Sequence, residues 1–398
     1  MASGPRRGYF YPRRAGRLGH VPSCDAADGG THPVVDPPVG RFGLPVTGPS
    51  GATPSREDLR VGVVGASGYS GSVAARLVST HPRLTLALAT SDKLTGESVA
   101  VHLGVRADPA LRFVPNAAAV ERAGDCDAVL LATSAEVSMH LLPAFAERGL
   151  QVVDLSGAFR LGPEAYPRWY GFAHTAPTWL ERAHYGLPEL FGRPPAGAPV
   201  ANPGCYPTAA LLAIGPLLRA GLVEASGIVV DAKSGVTGAG RQTGDAYSFV
   251  EVDEDMRAYK LLSHQHTPEI GRALSRWVAG TKVTFTPHLA PVKRGLLATC
   301  YARPRPGTDA ARVMECLRDT YSRSAFVRAV PPDQVMMKRV VGTNSCHVGA
   351  TADDDVVIAI GAIDNLLKGA AGQAIQNLNS MNGWDEASGL DGLQRVSP

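Results

Sequence analysis

Two short stretches of this chain carry residue types that do chemistry together. In Asn202-Pro203-Gly204-Cys205-Tyr206-Pro207-Thr208 a thiol sits in a tight turn, and Ala209 to Leu218 reads as the helix that follows. A thiol at a helix start feels the positive end of the helix dipole, which favours thiolate. Pro203 and Gly204 sharpen the turn, and the next backbone N–H groups lack intrahelical partners and are free to hold an oxyanion. That combination is suited to acyl transfer through a thioester on Cys205. Taken alone, the commoner fate of a free cysteine is a small buried hydrophobe.

The second stretch, Leu262 to Ile270, contains Ser263-His264-Gln265-His266-Thr267-Pro268-Glu269 just before a helix. A neutral imidazole can take the thiol proton, and the imidazolium can later return one to a hemithioacetal oxygen. Only one of His264 and His266 is expected to face Cys205, and Glu269 is placed to orient the working ring. An HxH metal pair would need a Cys or acid at ligand spacing nearby, and none is present, so no metal is expected.

A third stretch brings in a cofactor. Gly65-Ala66-Ser67-Gly68-Tyr69-Ser70-Gly71 follows the β-branched run Arg60 to Val64 and precedes a helix pattern over Ser72 to Ser79. Strand, glycine turn and helix in this order let backbone approach a pyrophosphate whose charge meets the helix N-terminus. Twenty residues on stand Thr90-Ser91-Asp92-Lys93. Asp92 could bind a ribose 2′-hydroxyl and mark NAD, whereas Ser91 and Lys93 could receive a 2′-phosphate and mark NADP; the balance of groups leans to NADP. A hydride cofactor beside a candidate thiolate narrows the chemistry to aldehyde or acyl redox.

The elements that must position these groups follow two patterns. Leu84 to Thr90, Ala128 to Ala132 and Val152 to Leu155 read as further strands, with Val137 to Glu147 a helix between the last two. This alternation predicts a Rossmann-type α/β domain with a parallel sheet. Past Cys205, Ile228 to Ala232, Lys282 to Thr286, Leu296 to Ala302, Gln334 to Val340 and Val356 to Ile360 read as strands, and Asp309 to Ser322 as a helix. Strands outnumber helices there, which predicts an α+β domain with a mostly antiparallel sheet. A last helix, about 369–381, is expected to return to the first domain. The expected division is a disordered extension over 1–56, a nucleotide-binding domain over 57–204, a catalytic and dimerisation domain over 205–362, and a returning helix with its tail over 363–398.

Composition bounds the partners. The 398 residues are 44% hydrophobic and 19% charged, with 39 Lys and Arg against 36 Asp and Glu, a formal charge of +3. So small and dispersed a charge argues against nucleic acid, and no apolar run approaches the ~18 residues a membrane helix needs. Six cysteines without CxxC spacing suit a reducing cytoplasm and indicate neither zinc nor a disulfide framework. Residues 1–56 carry seven Arg, three Asp and many Gly and Pro without periodicity, as a disordered segment does. Its five Arg among the first twenty residues could mark a transit peptide, but Gly and Pro break any amphipathic helix there.

Taken in order, GASGYSG, NPGCYPT and HQHTPEI resemble the N-acetyl-γ-glutamyl-phosphate reductases of the arginine pathway over about residues 59–382. Asp154–Arg160 (DLSGAFR), Tyr185–Glu189 (YGLPE), Ser234–Arg241 (SGVTGAGR) and Asn365–Gln373 (NLLKGAAGQ) strengthen the resemblance. It implies NADPH-dependent reduction of an acyl phosphate, with Cys205 as nucleophile and His266 as base, His264 being close enough to exchange roles. Arg160, Arg241 and Ser234 become candidates for the substrate, since a guanidinium fork pairs with carboxylate or phosphate. Ser156 and Gly157 are expected near the nicotinamide or substrate, with Asn365 in the segment that closes over the nicotinamide. Related reductases of aspartyl phosphate or carrier-linked aminoadipate phosphate are the nearest alternative, and a non-catalytic NADPH sensor a distant one. A homodimer or homotetramer is expected. Where the family often carries Pro-His-Gly after the third strand, this chain has Ala132-Thr133-Ser134-Ala135.

Overall fold

Short apolar strands separated by glycine turns build the first layer of the computed structural model, which describes residues 58–241 and 247–391. The expectations for residues 1–56 and for the last residues of the tail lie outside the described residues. Strands β1 (Leu59–Val64), β2 (Leu84–Ala89), β3 (Ala128–Leu131), β4 (Gln151–Asp154), β5 (His184–Tyr185) and β6 (Val200–Ala201) form a parallel sheet ordered β2-β1-β3-β4-β6-β5. All four residues of β3 are buried, as strands covered on both faces must be. The helix Tyr69–Thr80 begins three residues earlier than its apolar pattern, because Gly68 is its N-cap and the glycine turn runs straight into it.

The second layer is a seven-stranded mixed sheet. Strands β7 (Ile228–Gly235), β8 (Arg257–Ala258), β9 (Val283–Ala290), β10 (Leu296–Ala302), β11 (Val327–Ala329), β12 (Cys346–Ala352) and β13 (Val357–Ile363) are ordered β11-β12-β13-β10-β7-β9-β8. Four neighbouring pairs are antiparallel, and two, β7 with β9 and β11 with β12, are parallel. The strand expected over Gln334 to Val340 is not one. Pro331 and Pro332 start a single 3₁₀ turn, Pro332–Gln334, and Met337–Val340 is a helical turn that buries Val340 against Ala362. Strands β11 and β12 escape a reading by pattern because Gly349 and the polar ends of β12 interrupt the apolar alternation.

Against the second sheet runs the helix Cys205–Arg219, buried on every side from Tyr206 to Leu218. It lies close on β13 at Gly361, where a Cβ would collide with the carbonyl of Ala209. Its interior Pro216 cannot donate to the carbonyl of Leu212 one turn back. The hydroxyl of Tyr321, at the end of the helix Ala310–Tyr321, donates to that carbonyl at 2.7 Å instead. The buried acceptor is thereby satisfied and the helix stays continuous around the proline.

The C-terminal helix Gly372–Met381 packs Ala374, Ile375 and Leu378 against Val61, Ala74 and Leu77 of the first layer. The turn before it, Leu367–Ala371, is π-helical: Gly369 N–H donates to Asp364 and Ala371 N–H to Leu366, each across five residues at 2.9 Å. Single π turns of this kind concentrate at functional sites.

Candidate active site

Both sheets end at one cavity of about 440 Å³. It is lined at one side by Gly68, Tyr69, Ser70 and Gly71, at the other by Gly204, Cys205 and His266, and between them by Ser156, Gly157, Arg160 and Asn365. Fold geometry thus joins residues that the sequence scatters over 300 positions.

The nucleotide end is built by glycine. Gly65 holds φ +86°, and a Cβ there would lie 2.6 Å from the carbonyl of Ala132. A Cβ at Gly71 would collide with the carbonyl of Gly65, so the loop closes on its own helix only without side chains. No acid stands in the first turn of Tyr69–Thr80, leaving its N-terminal N–H groups to an anion. Within the loop, the Ser67 hydroxyl accepts from the Ser91 hydroxyl at 2.8 Å. Ser91 is buried and Lys93 exposed at the end of β2, and neither lines the cavity. Asp92 is engaged elsewhere, taking the backbone and side-chain N–H groups of Asn116 at 2.8 and 2.7 Å.

At the chemical end, Cys205 is the first residue of its helix, with Gly204 extended at φ −69°, ψ 158°. Glu269 organises the approach. Its Oε1 accepts from Gly204 N–H at 2.9 Å and from the Tyr185 hydroxyl at 2.8 Å, and its Oε2 accepts from Arg160 at 3.2 Å. Its distance to His266 Nε2 is 3.9 Å, too long for a hydrogen bond, so Glu269 fixes the turn and Arg160 rather than the imidazole.

The two histidines separate. His266 opens the helix His266–Leu274 and lies against Gly204, where a Cβ would strike its Nε2. His264 lies behind it, within a ring of Tyr206, Tyr259 and Phe285, and its Nδ1 accepts the backbone N–H of His266 at 3.1 Å. His264 therefore caps the start of the helix and does not line the cavity.

Electrostatics correct one expectation. Burial is the largest influence on Cys205 and pushes its thiol up to about 11, against the pull of the Tyr206 N–H and the Arg160 charge. Loss of water on burial thus opposes the ionisation that a helix start favours. Burial, with Arg160 adding to it, also holds His266 well below the usual imidazole range, so an uncharged imidazole faces the Cys205 thiol.

Of the remaining candidates, Arg241 stands exposed at the rim with its guanidinium 5.1 Å from the Tyr69 ring centre. Ser234 is buried, donates to the carbonyl of Gly235 at 3.1 Å, and does not reach the cavity. Ser156 is held by Asp154, which accepts from its N–H at 2.9 Å and its hydroxyl at 2.8 Å. Asn365 accepts from Gly295 N–H at 2.8 Å and donates to Thr237 at 3.0 Å. The segment after β3 still contributes Ala132, Thr133 and Ala135 to the lining.

Sequence reasoning missed Tyr170, whose hydroxyl is buried without a partner at the cavity wall beside Gly157. Arg160 Nε and His266 Nδ1 are in the same condition. Three unsatisfied polar atoms around one cavity are what a site for a polar ligand provides. The only sequence signal for Tyr170 was the aromatic density of Tyr166, Trp169, Tyr170 and Phe172.

The chain matches two family models, "Semialdehyde dehydrogenase, NAD binding domain" over residues 60–195 and "Semialdehyde dehydrogenase, dimerisation domain" over residues 205–365. It is 43% identical over 345 residues to the N-acetyl-gamma-glutamyl-phosphate reductase of Magnetococcus marinus, covering 84% of this chain and 98% of that protein. The chain belongs to the N-acetyl-gamma-glutamyl-phosphate reductase family. The reductase of Geobacillus stearothermophilus is 41% identical, covering 84% of this chain and 99% of that protein. Among solved structures, aspartate semialdehyde dehydrogenase II of Vibrio cholerae superposes with TM-score 0.61 at 17% identity, over 81% of this chain and 98% of its own. The enzyme of Candida albicans, solved with NADP, gives TM-score 0.57 at 16% identity, over 82% and 99%. Both share the fold of this chain. Its glycine cradle and acid-free helix start fit the dinucleotide that the matched NAD-binding domain implies.

Proposed function

We propose that this protein reduces N-acetyl-gamma-glutamyl phosphate to N-acetyl-L-glutamate 5-semialdehyde with NADPH, releasing phosphate through a thioester on Cys205. The observation that carries this reading is the single cavity running from the glycine-loop helix to the Cys205 turn. NADP is favoured over NAD because Asp92, the one acid at the end of β2, is already taken by Asn116.

Each residue then has a task. His266 takes the thiol proton as sulfur attacks the acyl carbon, the carbon–oxygen bond to phosphate breaks, and phosphate departs. Arg160, held by Glu269 and by the carbonyl of Leu155 at 2.7 Å, faces the negative charge of the substrate and the developing oxyanion. The unpaired N–H groups at the start of the Cys205 helix add to that stabilisation. The chemistry that NADPH supplies when bound is the hydride for the thioester carbonyl. The protonated His266 neutralises the oxygen or the departing sulfur as the aldehyde forms. Gly68 to Gly71 hold the pyrophosphate, and Ser156, Gly157 and Asn365 border the nicotinamide.

The division into a nucleotide-binding part (57–204), a catalytic and dimerisation part (205–362) and a returning segment (363–398) belongs to the same reading. The second sheet keeps one face only half covered, at Val229, Asp231, Thr299, Tyr301, Ile358 and Ile360. With a dimerisation domain matched over 205–365, that face suits a second copy of the chain in a homodimer or homotetramer. Among the described residues no helix is long and apolar enough to cross a membrane, and a cytoplasmic location with no nucleic-acid partner fits the composition.

The test is Cys205→Ala. It should abolish phosphate-dependent reduction of NADP by N-acetylglutamate semialdehyde while leaving the NADPH dissociation constant within about twofold. Turnover above about 1% of the parent enzyme in that variant would refute the thioester. Activity with aspartate semialdehyde alone would move the assignment to the related reductase.

A further inference from the structure

One buried cluster in the molecule has a charge that the reaction scheme does not use. Lys368 is fully buried, and its Nζ donates to Glu189 at 2.6 Å, Gln373 at 2.5 Å and Gln376 at 2.6 Å. Gln376 in turn donates to Glu189 at 2.9 Å. An ammonium out of water is costly unless every proton finds an acceptor, and here three do.

Geometry ties this cluster to the π turn. In an α-helix, residues five apart point about 140° away from each other, so Lys368 could not share a face with both Gln373 and Gln376. The wider Leu367–Ala371 turn absorbs the extra residue and brings all three together. Asp364 caps its start, accepting from Leu366 and Leu367 N–H at 2.8 and 3.0 Å.

The next two residues of the turn meet the nucleophile. A Cβ at Gly369 would lie 2.7 Å from Cys205 Cβ and 3.2 Å from its Cα, so backbone is packed directly on the cysteine. The carbonyl of Ala370 accepts from Asn202 Nδ2 at 3.2 Å, within the turn that leads to Cys205. Lys368 thus anchors one side of a turn whose adjoining residues support the catalytic sulfur.

We infer that Lys368, clamped by Glu189, is a positioning residue that holds the π turn against Cys205 and so sets where the sulfur stands relative to the acyl carbon. This rests on Cys205 being the nucleophile proposed above. Neither Lys368 nor Glu189 touches substrate; both act through Gly369 and Ala370. Losing the clamp lets the turn relax towards α-helical spacing, which withdraws Gly369 from Cys205 and frees the side chain to leave its reactive rotamer.

The test uses full-length Lys368→Met and Glu189→Gln, with Tyr321→Phe, which loses a buried bond to the Leu212 carbonyl but leaves Lys368 and its three acceptors in place, as a control. Three quantities are read for each: kcat and KM for the semialdehyde, the rate of Cys205 alkylation by iodoacetamide at fixed pH, and the melting temperature. The expected result is a fall in kcat of at least tenfold with KM within threefold, and an alkylation rate altered at least threefold, in both clamp variants. Tyr321→Phe should lower the melting temperature while leaving kcat and alkylation unchanged. Clamp variants with parental kcat and alkylation would overturn the inference, as would changes that merely track melting temperature across all three. If Lys368→Met does not fold, Glu189→Gln, which keeps an acceptor, decides the question by the same readings. Should Cys205→Ala prove active, the reading of the reaction fails; should it be dead while the clamp variants behave normally, only the clamp fails.

Discussion

Glu269 accepts the backbone N–H of Gly204 at 2.9 Å, one residue before Cys205, the proposed nucleophile. The same carboxylate pairs with Arg160 at 3.2 Å, so one buried acid fixes both the approach to the sulfur and the cation beside it. Its place three residues after His266 in the same helix would suggest a partner for the imidazole, yet its bonds go to the turn and the guanidinium.

Glu269→Gln therefore separates charge from hydrogen bonding. The amide still accepts from Gly204 or Tyr185, but Arg160 loses its buried counter-ion, a change that costs about 3–5 kcal/mol where no water replaces the partner. We expect kcat to fall at least tenfold with NADPH binding within about twofold, measured by steady-state kinetics and by quenching of protein fluorescence. Unchanged kcat would remove Glu269 from the site's support.

The histidines should divide cleanly under substitution. His266→Asn is expected to lower kcat by about 10²–10⁴, the usual contribution of a general base. His264→Asn keeps a side-chain acceptor for the His266 N–H and should stay within about threefold of the parent. His264→Leu removes the cap and should cost roughly 1 kcal/mol in urea unfolding. A larger kinetic loss at position 264 than at 266 would reverse the assignment.

Stability should fall on mild acidification. Burial holds His264 down to about 2 and His266 well below the ordinary value of 6.5, so the unfolded chain binds protons that the folded chain refuses. Their contribution is complete above the unfolded value and is lost as pH drops below about 6.5 towards the folded values, at up to about 1.4 kcal/mol per pH unit for each ring. Melting temperatures from pH 8 to 5 should be level down to about 6.5 and then decline, and His264→Asn should flatten the decline. A curve that is level to pH 5 would contradict neutral burial.

Tyr321→Phe isolates the proline in the Cys205–Arg219 helix. Without the hydroxyl, the Leu212 carbonyl is left buried and unpaired next to Pro216, at a cost of about 1–3 kcal/mol. Chemical denaturation should show that loss with an unchanged m-value, and Pro216→Ala in the same background should recover part of it by restoring the i to i−4 donor.

Much of this molecule was settled by local sequence. The glycine spacing of Gly65 to Gly71 admits only a tight βα turn, because a Cβ at Gly65 or Gly71 collides with neighbouring backbone. Pro203 and Gly204 likewise prepare a helix that starts at Cys205, and the order of motifs was enough to point to an acyl-phosphate reductase. Such features depend on residues within a few positions of each other, whose conformations are set by their own φ and ψ.

Tertiary structure decided the rest, because those contacts join segments far apart in the chain. Glu189 and Lys368 lie 179 residues apart, and Gly204 and Glu269 65 apart, so no spacing rule links them. The fold also chose between the histidines, giving His264 a backbone bond and His266 the cavity. It turned the Ser234 hydroxyl to the Gly235 carbonyl, outside the cavity lining, and burial made the Cys205 thiol hard to ionise. A helix start favours thiolate, but how much water the finished site excludes depends on every element packed around it.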